Sequence, residues 1–133
     1  MEPELICVDS SILIEHFRAK DKTKTAFYNL SLKGFHFAFS SIVIYEVLRG
    51  KNDDYNNKVF THPNSRILNF DFGTAEIAAK IYQEHKSRTG KINKDDEPLV
   101  DDFLIAASAI QYKIKLTTLN KKHFENIDGL NLY

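Results

Sequence analysis

Short apolar runs recur along the chain at Leu5 to Val8, Phe35 to Phe39, Ile67 to Phe70 and Lys115 to Thr118, with a last stub at Leu130 to Tyr133. Runs of this length between polar or turn residues read as strands. The stretches separating them carry helical spacing. Ser10 to Phe17 and Lys22 to Leu32 lie between the first two runs, and Ile42 to Leu48 follows the second and closes at Gly50, as a helix C-terminus would. Thr74 to Ser87 sets Ala75, Ala78, Ala79, Tyr82 and His85 three and four residues apart, which predicts an amphipathic helix with these on its apolar face and Gly90 as its end. In Val100 to Tyr112, Leu104, Ile105, Ser108, Ala109 and Tyr112 stand among small alanines, the pattern of a helix packed tightly on a sheet and the most buried helix of the chain. Gly90 to Pro98 reads as a loop feeding it.

Strands alternating with helices predict a parallel sheet covered on both faces and joined by right-handed crossovers, an α/β sandwich. The chain has 133 residues, the length of one compact domain, and no repeat or linker divides residues 1–133. In such sheets ligands bind in the crevice beyond the C-terminal ends of the strands. Polar residues there are the candidates for function.

Composition narrows the classes. No apolar segment approaches the roughly 18 to 20 residues needed to cross a bilayer. The acidic opening Met1-Glu2-Pro3-Glu4 is unlike a secretory signal, so the expected location is the cytoplasm. The single Cys7, inside Leu5-Ile6-Cys7-Val8, has no partner for a disulfide and reads as a buried small hydrophobe. Lys plus Arg and Asp plus Glu both number 18, so no global positive field attracts nucleic acid and any such surface must be local. Lysines and arginines do gather, at Arg18 to Lys24, at Lys86 to Lys94 and at Lys113 to Lys122, but such stretches commonly are solvated helix faces.

Acids stand where the strands end. Asp9 follows the first apolar run and precedes Ser10-Ser11, so it is either the N-cap of the next helix or a crevice ligand. Glu46 lies among Ile42, Val43, Ile44, Val47 and Leu48 after the second strand; it either pairs with Arg49 or is held in the crevice by another partner. Asp101 and Asp102 open the buried helix, where the macrodipole alone favours an acid. Adjacent helical residues point about 100° apart, so one of the two is expected to face the crevice. Asn120 and His123 follow the fourth strand. Carboxylates gathered in one crevice repel each other unless a cation sits among them. Oxygen ligands select Mg²⁺ or Mn²⁺, and the chemistry that suits them is phosphodiester hydrolysis.

These segments resemble the motifs of PIN-domain nucleases. Val8-Asp9-Ser10-Ser11-Ile12-Leu13-Ile14 is similar to their opening motif, and Ser40 to Gly50, containing Glu46-Val47-Leu48-Arg49-Gly50, to their second. Asp102-Phe103-Leu104-Ile105-Ala106-Ala107 resembles the third, and Thr117 to Phe124 the fourth. The order is kept over nearly the whole chain, and the compact length is most like VapC toxins of toxin–antitoxin pairs. The resemblance implies a PIN-like three-layer sandwich, a Mg²⁺-dependent ribonuclease acting on RNA, a homodimer and a cognate antitoxin. By position it makes Asp9, Glu46 and Asp102 the metal-binding acids, with Asp102 preferred to Asp101, Ser10 assisting through its hydroxyl and Asn120 orienting water. Many relatives carry an acid just before the phenylalanine of the fourth motif, where this chain has His123. That leaves a second metal open, with His123 either a ligand favouring Mn²⁺ or a surface histidine. Two rivals remain. A phosphoacceptor receiver domain would need an acid pair after the first strand, where Ser10 and Ser11 stand; a PIN-like binding module without catalysis is compatible with the reduced acid set.

Overall fold

The computed structural model of the chain describes residues 2–50, 54–89 and 100–133. Four parallel strands, β1 Leu5–Val8, β2 His36–Ser40, β3 Arg66–Leu68 and β4 Leu116–Thr117, form one sheet in the order β3-β2-β1-β4. β1 lies between two neighbours, with Cys7 paired to both Ala38 and Leu116. A strand enclosed on both edges and both faces has no solvent side, which is why Leu5 to Val8 is an unbroken apolar run. Burial, with Asp9 nearby adding to it, pushes the Cys7 thiol up to about 12, so the residue is an inert apolar filler.

The helices are α1 Ser10–Arg18, α2 Ala26–Leu32, α3 Ser41–Gly50, α4 Asp54–Thr61, α5 Phe72–Thr89 and α6 Val100–Tyr112. Right-handed crossovers carry α1 to α4 over one face as the chain steps from β1 through β2 to β3, and α5 and α6 over the other as it returns to β4. The direction of travel reverses between β1 and β4. That switch point is where side chains beyond the strand ends share a crevice. No described helix is long and apolar enough to cross a membrane.

Several elements depart from their sequence pattern. The helix expected over Lys22 to Leu32 is a 3₁₀ turn, Lys22–Lys24, followed by α2. Lys22 is committed elsewhere, its Nζ donating to the carbonyls of His16, Phe17 and Ala19 at 2.9, 3.1 and 3.3 Å and so closing α1. Thr25 then restarts the helix by accepting from Tyr28 N at 3.2 Å. α4 has no counterpart in the apolar pattern because its Asp-Tyr-Asn-Asn-Lys start is polar; Phe60, edge-on to Phe39 at 5.1 Å, is what docks it. On α5 the buried residues are Thr74, Ala78, Ile81 and His85, whereas Ala75, Ala79 and Tyr82 are exposed. Alanines on two faces gave the pattern no means of choosing, and the larger Ile81 decides. The stub at Leu130 to Tyr133 is a single bridge between Leu132 and Leu116. The expected loop from Gly90 to Pro98 lies outside the described residues.

α6 is the most buried helix, as its pattern predicts, with Phe103 and Ile105 to Ala109 inside the core. It ends in a Schellman motif: Ile114 N donates to Ala109 O at 3.0 Å and Lys113 N to Ile110 O at 3.1 Å. The motif holds Lys113 at φ 57, left-handed backbone that favours glycine. An L-residue there costs roughly 1–2 kcal/mol, of which the extra unfolded-state entropy of glycine returns part. Lys113→Gly is therefore expected to stabilise the fold by about 0.5–1 kcal/mol, read as a higher urea midpoint at unchanged slope.

Candidate active site

Asp9 leaves the C-terminal end of β1 at the switch point and is 3% exposed. Its backbone N–H donates to Thr117 O of β4 at 3.0 Å. Its carboxylate caps α1, Oδ1 accepting from Ser10 N at 2.8 Å, while Oδ2 accepts from Ser11 Oγ at 2.8 Å and from Thr118 Oγ1 at 2.7 Å. The two hydroxyls are bound in turn to the turn beyond β4: Leu119 N donates to Ser11 Oγ at 3.1 Å and Asn120 N to Thr118 Oγ1 at 3.0 Å. The cap and the crevice acid are thus one carboxylate. Three donors fix its plane, and a carboxylate has acceptor capacity beyond three.

Glu46 sits on α3, which begins directly where β2 ends. Ser40 Oγ accepts from Ile42 N and Val43 N, both at 3.1 Å, so the last residue of the strand also caps the helix. Arg49 does not pair with Glu46; its guanidinium lies over the Tyr45 ring at 5.3 Å, and hydrogen bonding to Tyr45 is the largest influence raising its pKa. Glu46 turns to the crevice instead. Burial pushes its carboxyl up to about 7; a hydrogen bond from Ser10 opposes this, and the charges of Asp101, Asp9 and Asp102 reinforce it. Its Oε1 is buried and has no hydrogen-bond partner.

Asp101 and Asp102 occupy the first turn of α6 and are both partly buried. The charges of both act on Glu46, Asp101 more strongly than Asp102, while Asp102 is the one in contact with His123. His123 is not a free surface histidine: Nδ1 lies 3.2 Å from Asp102 Oδ2, with the side chains 22% and 14% exposed. Asn120 is exposed on the turn, engaged through its backbone, and its carboxamide makes no capping bond. Thr118 and Ser11, which contact Asp9 directly, carry no role in the motif reading. Hydroxyl residues at the ends of adjacent strands, Ser10-Ser11 and Thr117-Thr118, are the signal that would have found them.

Asp9, Glu46, Asp101 and Asp102 supply oxygen donors alone, the set that suits Mg²⁺ or Mn²⁺. Among the described residues no three acidic, histidine or cysteine side chains close into a ligand cluster, so the acids are electrostatically coupled without forming a cage. The orphaned Oε1 of Glu46 still fits a cation: it is a buried acceptor among like charges, and a divalent ion would satisfy it and relieve the repulsion.

Among solved structures the chain is similar to a chain of VapBC2 from Rickettsia felis bound to a fragment of its promoter DNA, at 24% identity and TM-score 0.69 over 97% of each chain. It is likewise similar to DNA-bound VapBC from Salmonella typhimurium, at 21% identity and TM-score 0.70 over 99% of this chain and 98% of that one. FitAcB from Neisseria gonorrhoeae is 21% identical with TM-score 0.68 over 96% of each. At these identities the likeness speaks for the fold. No curated protein matches the chain. The family model described as PIN domain matches residues 6–130, a span that contains every acid of the crevice, and the chain belongs to the PIN domain family.

Proposed function

We propose that the chain is a Mg²⁺-dependent endoribonuclease, with Mn²⁺ able to replace Mg²⁺, that hydrolyses RNA phosphodiester bonds as the toxin of a toxin–antitoxin pair. The observation that carries this reading is the buried, unpartnered Oε1 of Glu46, whose carboxyl feels the charges of Asp9, Asp101 and Asp102 at the switch point. PIN domains are generally nucleases, and the family match supports hydrolysis of a nucleic acid. Solved structures of similar fold are VapBC complexes, which supports a cognate antitoxin as partner of a cytoplasmic homodimer.

When bound, the cation would neutralise charge on the scissile phosphate and activate water. Asp9, Glu46 and Asp102 hold it in this reading, with Asp101 adding charge close by. The residues of the chain set geometry rather than attack. Ser11 and Thr118 keep the Asp9 carboxylate in one orientation before substrate arrives. In this reading Asn120, exposed on the turn after β4, would orient water or a phosphate oxygen. Next to the acids a cavity of ≈ 210 Å³ opens between α5 and the 121–127 turn, lined by Arg88 and Lys122 but also by Glu84, with His123 shared between it and Asp102.

Purified chain is expected to cut structured RNA with Mg²⁺ or Mn²⁺ and not with EDTA, and Asp9→Asn to be slower by about 100-fold or more, since the cation supplies several kcal/mol of transition-state stabilisation. Equal cleavage by both proteins would trace the activity to a contaminant, and none by either would leave a PIN-like binding module. Expression of the chain alone is expected to arrest growth, and co-expression of the product of an adjacent small gene to restore it; unimpaired growth at high expression would remove the toxin role.

Glu46 gives a pH signature independent of RNA. Its folded pKa, about 7, lies above the ordinary 4.5, so its contribution to stability is present at low pH and lost as pH rises through 7. Glu46→Gln mimics the protonated form at all pH. In EDTA the melting temperature of the variant minus that of wild type is expected to grow from pH 5 to pH 8, and Mg²⁺ to shrink that difference at pH 8. A difference flat across pH would show that Glu46 is not held among like charges.

A further inference from the structure

We propose that His123 is a positioning residue, neither a metal ligand nor a surface group: its Nδ1–H holds Oδ2 of Asp102 and fixes the plane of that carboxylate in the crevice. The inference rests on the metal-dependent reading of the site and adds to it how this chain manages with a histidine in place of an acid just before Phe124.

The contact spans α6 and the turn after β4, with Nδ1 3.2 Å from Oδ2. A carboxylate only accepts, so in this contact the ring is the donor, through Nδ1–H. The turn that carries His123 is anchored. It is the end of the 3₁₀ turn Lys121–His123, its N–H donates to Asn120 O at 3.0 Å, and the next residue, Phe124, is 1% exposed in the core. The same short segment delivers Thr118 to Asp9 and His123 to Asp102, so one turn orients two of the acids. An acid at position 123 would be a further negative charge in a group already strong enough to raise Glu46. An imidazole donor orients Asp102 without that repulsion. Groups that hydrogen-bond to ligating side chains are typically worth ~10–100-fold in metal affinity.

Two measurements test this on the full-length chain. In ¹⁵N-histidine spectra of the metal-free protein, at a pH where the ring is neutral, the His123 resonances are expected to report the Nδ1–H tautomer and to revert to the Nε2–H tautomer in Asp102→Ala, which removes the acceptor. An Nε2–H tautomer in wild type would overturn the pairing. Calorimetric titration with Mn²⁺ is expected to show binding weakened ~10-fold in His123→Ala but within ~3-fold of wild type in His123→Asn, whose amide can donate from the position of Nδ1. A merely structural role would lower the melting temperature of both variants and spare Mn²⁺ affinity. Unchanged Mn²⁺ affinity in His123→Ala, or affinity in His123→Asn as weak as in His123→Ala, would overturn the positioning role while leaving the metal site standing. Failure of wild type to bind Mn²⁺ would remove the metal reading and the positioning role together.

Discussion

The Asp9 carboxylate is the joint on which the architecture turns. It ends the central strand, caps the first helix and accepts hydroxyls from Ser11 and Thr118, residues more than a hundred positions apart in sequence. Each bond to a buried charge of this kind is worth about 1.5–3 kcal/mol, enough to keep an ionised group inside a fold whose whole stability is of order 10 kcal/mol. The β1 to β4 pairing is two residues long, so backbone bonds alone would hold that edge weakly. The side-chain bonds around Asp9 reinforce it at the point where the crevice opens.

Around that joint the fold concentrates charge against its own stability. α3 buries Glu46 close to Asp101 and Asp102 of α6, and the cost is visible in a glutamate raised to about 7, by burial first and by the neighbouring charges next, with a buried oxygen lacking any donor. A structural network would have supplied that donor, and Arg49, three residues along, was available for it. The chain turns Arg49 to Tyr45 instead. Local order is sacrificed at one place while the surrounding core, from Ile6 to Leu116, is packed without compromise, the distribution expected where function opposes stability.

The sequence made the strands and the acids legible because both follow strong local rules. Leu5 to Val8 has to be apolar in the middle of a parallel sheet, Asp9 follows the end of β1 directly, Glu46 lies on the helix that continues β2, and Asp102 opens the buried helix α6. What escaped depends on contacts between distant segments. α4 is held by Phe60 against Phe39, and no periodicity in a polar segment announces that contact. The buried face of α5 is set by Ile81 docking on the core, whereas the alanines around it satisfy more than one face. Thr118 gains its meaning from Asp9 and His123 from Asp102, partners brought near only when β4 lies beside β1. Helix spacing correctly separates Asp101 from Asp102 by about 100°, yet both remain within electrostatic range of Glu46, because Coulomb coupling in a half-buried crevice tolerates orientation far better than a hydrogen bond does.

The charge balance of the chain bears on how an anionic polymer reaches such a crevice. With 18 cationic and 18 anionic side chains there is no long-range attraction, and within a Debye length of about 8 Å the acids of the crevice would repel a phosphate. Attraction therefore has to be local and conditional. Arg88 and Lys122 line a cavity that also takes in Glu84 and His123, the histidine that contacts Asp102, so this cavity adjoins the acids without being uniformly positive. A divalent cation among the acids, as the proposed function has it, would remove that repulsion and so would serve capture of a phosphodiester backbone as well as chemistry.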